Sequence, residues 1–191
     1  MLKILIKDWI IPGVIITGLY FSGLLGQFAA CAQGAILKTG LFNVDTEHIE
    51  GEDFNYNQSL YDQKGELVNL SQFKGKVVFL NLWASWCAPC KAEMPGIDEL
   101  YLDLKNEKDI VFVMLSIDRN EQAAKRYMDK QAYAFPYYQW SGSLTSQLTV
   151  SSIPTTYVVS KEGKILKKEV GMARYNTNAF KKFLLKEANG E

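Results

Sequence analysis

The run Val77–Trp83, VVFLNLW, is short, apolar and rich in β-branched and aromatic side chains, and only Ala84, Ser85 and Trp86 separate it from Cys87-Ala88-Pro89-Cys90. Such a run suits a buried strand. Beyond the cysteines, Ile97, Leu100, Tyr101 and Leu104 recur at i, i+3, i+4 and i+7, the spacing of one helix face. Pro95 is expected to kink or interrupt the first turns of that helix, because it lacks an N–H and crowds the preceding turn. A cysteine pair is thereby set where a buried strand passes into a helix.

The rest of the chain beyond about residue 52 follows the same grammar. FNYNQSLYDQKGELVNLSQF, with a turn at Asp62-Gln63-Lys64-Gly65, predicts a hairpin from Phe54 to Leu70. Ile110–Ile117, IVFVMLSI, is a second buried strand, and residues 121–130 are helical in pattern. The aromatic segment Tyr133–Trp140 fits neither template. TTYVVS and KILKKEV flank Lys161-Glu162-Gly163-Lys164 as another hairpin, and Ala179, Phe180, Phe183 and Leu184 mark a closing helix over 176–186. This order predicts an α/β domain with a mixed sheet and helices on both faces. No repeat or low-complexity tract interrupts it.

With 191 residues and 48% hydrophobic composition, the chain is long enough for one domain with a sizeable core and an appendage. The appendage is N-terminal: no charged residue lies between Asp8 and Lys38, a stretch longer than the roughly 20 residues a membrane helix needs. Lys3 and Lys7 precede it, and this bias is expected to keep the N-terminus in the cytoplasm and place the remainder outside it. Residues 1–35 therefore read as a membrane anchor or uncleaved signal, 36–51 as a polar tether, and 52–191 as the domain. Two other readings stay open: a lipoprotein box ending at Cys31, and signal cleavage at Ala30-Cys31-Ala32. All three export the domain. Equal numbers of basic and acidic residues, 21 each, argue against a nucleic-acid partner.

Three roles compete for the cysteine pair. Tetrahedral zinc needs four ligands, and only Cys31 and His48 remain, in the anchor and the tether, so no metal is expected. His48, the sole histidine, reads as a solvated loop residue. A structural staple closing so short a loop gains little. Redox chemistry fits the position, since unpaired N–H groups at a helix N-terminus favour a thiolate at Cys87. Cys90, one turn on, suits a resolving thiol, and Pro89 between them stiffens the turn. Glu93 shares the face of Cys90 and is the nearest group able to take its proton; the competing view is an ordinary exposed helix glutamate. Asn81, on the strand where an acid could sit beneath the pair, cannot titrate.

FLNLWASWCAPCKAEMP, followed far downstream by IPTTYVV, resembles the thioredoxin superfamily, and within it the membrane-anchored TlpA- and ResA-like thiol-disulfide oxidoreductases. The similarity spans about residues 52–188, matching at Trp86, Cys87, Pro89, Cys90, Glu93, Pro95 and Pro154. It implies a thioredoxin-like fold with an extra N-terminal hairpin, a redox-active Cys87–Cys90 disulfide, and no cofactor. It further implies a cis Ile153-Pro154 bond lying against the pair. There Trp86, Ala88, Pro89, Ile153 and Pro154 would contact a substrate strand, with Glu93 standing in for the buried aspartate of cytoplasmic thioredoxins. The implied function is reduction of disulfides in exported proteins, apocytochrome c being the client the family suggests, with electrons from a membrane thiol transporter. The alternatives are a redoxin-type thiol peroxidase and a tethered binding domain with a structural disulfide.

Overall fold

The computed structural model describes Pro12, Thr17, Gly18, Asn43, Val44 and residues 51–190. Most of the expected anchor and tether, including Cys31 and His48, lies outside the described residues. Among the described residues, no helix is long and apolar enough to cross a membrane.

Apart from the 3-10 turn and β5, which no sequence pattern marked, the elements form close to their expected bounds. They are β1 (Ser59–Asp62), β2 (Leu67–Asn69), a 3-10 turn (Leu70–Phe73), β3 (Val77–Trp83), α1 (Ala88–Leu104), β4 (Ile110–Ser116), α2 (Glu121–Gln131), β5 (Tyr137–Trp140), β6 (Thr155–Val159), β7 (Ile165–Val170) and α3 (Asn178–Asn189). Gly65 closes the first hairpin with φ 83°, a conformation few other residues accept, and its N–H donates to Asp62 O at 2.9 Å. The run Tyr133–Trp140 resolves into a short strand. β5 pairs in parallel with β4 and antiparallel with β1, so it carries the N-terminal hairpin into one sheet of order β2-β1-β5-β4-β3-β6-β7.

Alternation along β3 divides the core. Val77, Phe79 and Trp83 join one apolar cluster, whereas Val78, Leu80 and Leu82 join the other. The buried apolar residues of α1, α2 and α3 all belong to the first cluster, with Ile97 and Leu100, Ala124 and Met128, and Phe180 and Leu184 among them. The second is covered by Phe54, Tyr56, Leu148 and Leu70 of the 3-10 turn. Helices on both faces were expected from the sequence; here a short turn and irregular segments supply enough apolar side chains to close the second face. Parity also turns Asn81 towards the face that α1 covers.

Pro95 lies inside α1 without ending it: the helix is continuous from Ala88 to Leu104. Asn43 forms an isolated parallel bridge with Arg174, and Val44 is buried in the first cluster.

Candidate active site

Cys87 caps α1. Its backbone is extended (φ −81°, ψ 106°), its N–H closes a turn on Ala84 O at 3.1 Å, and its sulfur accepts from Cys90 N–H at 3.2 Å. The cap thus aims an orphan helix N–H at the sulfur, an arrangement that stabilises a thiolate. The two cysteines are joined in a disulfide with Cα atoms 5.3 Å apart. Ala88 and Pro89 open the helix, where the missing proline N–H costs no hydrogen bond. Cys87 is 4% exposed, Cys90 is fully buried, and Trp86 is 67% exposed. An incoming group therefore meets Trp86 and the edge of Cys87 first.

The Ile153-Pro154 peptide is cis, as the family resemblance implies. It brings Ile153 O to 3.8 Å from Cys87 Sγ. Two bonds hold this loop: Thr155 Oγ1 donates to Ser152 O at 2.7 Å, and Gly171 N–H donates to Pro154 O at 2.8 Å.

Glu93 is 2% exposed, so the ordinary exposed glutamate considered from the sequence is not what forms. Asn81 Nδ2 donates to Glu93 Oε1 at 2.7 Å and to Thr156 Oγ1 at 2.9 Å, and Ala173 N–H donates to Glu93 Oε2 at 3.0 Å. Burial pushes the Glu93 carboxyl up to about 8, against these two hydrogen bonds and with help from the charge of Glu169. The buried Tyr175 hydroxyl is likewise pushed well up, by burial first and the Glu93 charge second. Asn81 does not titrate, yet its amide holds the titrating group in place.

Sequence patterns missed three contributors. Ala173 acts through its backbone, which no side-chain pattern reports. Lys91, four residues after Cys87, carries its ammonium 5.2 Å from the centre of the Tyr127 ring; burial lowers its pKa, Asp118 opposes that and Lys130 adds to it. Asp118 accepts from the Ser85 backbone N–H at 2.8 Å and is 5% exposed. The one available signal for it was an acid just past the end of a buried parallel strand, where α/β sheets gather functional groups. Among the described residues no cluster of histidine, cysteine, aspartate and glutamate could hold a metal.

The Redoxin family model matches residues 49–182. The chain belongs to the redoxin family. It is 34% identical to thiol-disulfide oxidoreductase ResA of Bacillus cereus over 141 residues, 73% of this chain and 80% of the relative. For ResA of Bacillus subtilis the identity is 32%, over 74% of this chain and 78% of the relative. A Chlorobium tepidum crystal structure, proposed to be thiol:disulfide interchange protein DsbE, superposes with a TM-score of 0.63 at 25% identity, over 74% of this chain and 99% of the other. This redoxin is a thiol-disulfide oxidoreductase of the thioredoxin and ResA type, an enzyme with the thioredoxin-like α/β fold. The site brings together a capped sulfur, a second sulfur one turn on and a buried carboxyl with its pKa raised to about 8.

Proposed function

We propose that this redoxin is tethered to the bacterial inner membrane by residues 1–35 and reduces disulfides of exported proteins on the extracytoplasmic side. The observation that carries the reading is the Cys87–Cys90 disulfide at the mouth of α1, with buried Glu93 three residues on and the cis Ile153-Pro154 peptide against Cys87. In the reduced enzyme, Cys87 thiolate attacks one sulfur of a client disulfide, forming a mixed disulfide and releasing the other client sulfur as thiolate. Glu93 takes the proton of Cys90, whose thiolate attacks Cys87 Sγ; the pair closes, and the client leaves with two electrons gained and both its cysteines reduced.

Trp86, Ala88 and Pro89 border the client, Pro154 packs beside it, and the backbone just before Pro154, at Ile153, pairs with its extended strand. Each turnover consumes a dithiol, so an exported enzyme needs two electrons and two protons from a donor; a membrane thiol transporter fits an oxidising compartment. Apocytochrome c, with its paired cysteines, is the proposed client. Cys87→Ser is expected to abolish insulin reduction, and retention of that activity would refute the mechanism. The direction is tested by equilibrating the pair against glutathione. A potential near that of thioredoxin, about −270 mV or lower, supports a reductase, whereas one near about −120 mV makes it an oxidant. Peroxide consumption by the reduced enzyme, at a rate exceeding disulfide reduction, would favour the peroxidase instead.

A further inference from the structure

We propose that Asp118 is a positioning residue for this exchange: it fastens the segment 84–86 to the end of β4 and so fixes where Trp86 and Cys87 meet a disulfide. The inference rests on the reductase reading above. Both Asp118 oxygens are engaged: Ser85 N–H donates to Oδ2 at 2.8 Å, Ser85 Oγ to Oδ1 at 2.8 Å, and Ser116 Oγ to Oδ2 at 2.9 Å. The backbone of Asp118 is anchored in turn, its N–H donating to Ser116 Oγ at 3.1 Å and its carbonyl accepting from Trp140 Nε1 at 3.2 Å.

The attachment to Ser85 is a fork, one bond to the main chain and one to the side chain, so it fixes orientation as well as distance. Only Trp86 stands between that fork and Cys87, whose N–H closes on Ala84 O. Ile117 N–H donates to Trp83 O at 2.8 Å, which carries the β3–β4 ladder up to the start of the segment. Residues 83 to 87 are thus held at three successive points. A buried carboxylate is a costly way to tie down a loop, since its desolvation must be offset by hydrogen bonds at both oxygens. What it supplies is a rigid two-point hold. Attack on a disulfide needs the sulfur in a near-attack geometry, where a displacement of about 1 Å costs on the order of 100-fold in rate.

The test uses the full-length enzyme in detergent. The second-order rate constant of the reduced protein is measured with insulin and with a small aromatic disulfide, alongside the Cys87 thiolate titration by ultraviolet absorbance and the glutathione equilibrium. Asp118→Asn puts an amide where one oxygen accepts, and it is expected to lower both rate constants at least about ten-fold. The thiolate titration and the glutathione equilibrium are expected to shift with them. Ser85→Ala, which keeps the backbone bond, falls between this variant and wild type. A folded Asp118→Asn protein that matches wild type within about two-fold in rate, titration and equilibrium overturns the proposal. If Asp118→Asn does not fold, Ser85→Ala decides: slower attack supports the proposal, and an unchanged rate overturns it. Should wild type reduce neither disulfide while the thiolate titration still shifts in Asp118→Asn, the reductase reading fails and the positioning role stands.

Discussion

Glu93 and Asp118 are both buried carboxyl groups close in sequence or space to the cysteine pair, at 2% and 5% exposure, yet their surroundings differ in kind. Glu93 lies on the buried face of α1 with one donor at each oxygen, an asparagine amide and a backbone N–H, and burial outweighs them to hold the group near 8. Asp118 stands at the end of the sheet and collects three donors from two serines. The first environment yields a group that gains and loses a proton near neutral pH. The second yields a fixed point. Similar burial thus comes with different hydrogen-bonding surroundings, and on that difference we assign Glu93 to proton transfer and Asp118 to positioning.

The strongest way to break this comparison is to separate the two chemical steps. Glu93→Gln is expected to slow resolution of the mixed disulfide by about 100-fold or more, the usual scale of general acid-base catalysis, while leaving the first attack near the wild-type rate. Acid quenching and mass spectrometry would then find the mixed disulfide accumulating. If it accumulates in Asp118→Asn and not in Glu93→Gln, the two roles are reversed. In wild type the resolution rate should rise with pH through about 8, and Glu93→Gln should remove that inflection.

Next in size is stability. The folded protein keeps the Glu93 proton up to about 8, whereas an ordinary carboxyl loses it near 4.5. Between those values the folded state binds more protons than the unfolded, so stability is greatest below about 4.5 from this group and declines as pH rises to about 8. The decline is on the order of 5 kcal/mol at most. Denaturant melts of the oxidised enzyme across that range should show it, and those of Glu93→Gln should be flatter.

A smaller effect is expected at Asn81. Its hydrogen bond opposes the upward push on Glu93, so Asn81→Ala should move the kinetic inflection above 8, by about one unit on the scale of a single hydrogen bond. A downward move would show that the amide favours the protonated acid. The smallest change concerns folding in Trp86→Ala. At 67% exposure Trp86 contributes little to the core, so stability should shift by less than about 0.5 kcal/mol. KM for a protein disulfide should nevertheless rise, while attack on a small disulfide is largely kept.

Much of the fold was legible because its signals are local. The apolar run Val77–Trp83, the helical spacing from Ile97 to Leu104, and the turn residues at Gly65 and Gly163 act through periodicity and backbone conformation within a few residues. β5 was not legible: it is four residues long and mostly half-buried, so its place comes from its partners β4 and β1. The continuity of α1 across Pro95 likewise follows from the packing of Met94, Ile97 and Leu100 into the core, which outweighs a missing hydrogen bond.

The same division runs through the site. Sequence alone determined that two cysteines stand one turn apart at a strand-to-helix junction, that no histidine is near in the chain, and that Glu93 shares the face of Cys90. These are consequences of spacing along a chain with fixed helical geometry. Only tertiary structure decided that Glu93 is buried against Asn81 and the Ala173 backbone, that Ile153 O faces Cys87, and that Asp118 holds Ser85. Each of these joins residues 12 to 80 positions apart. A burial or a hydrogen bond across that distance depends on which surfaces the sheet brings together, and no local pattern encodes it.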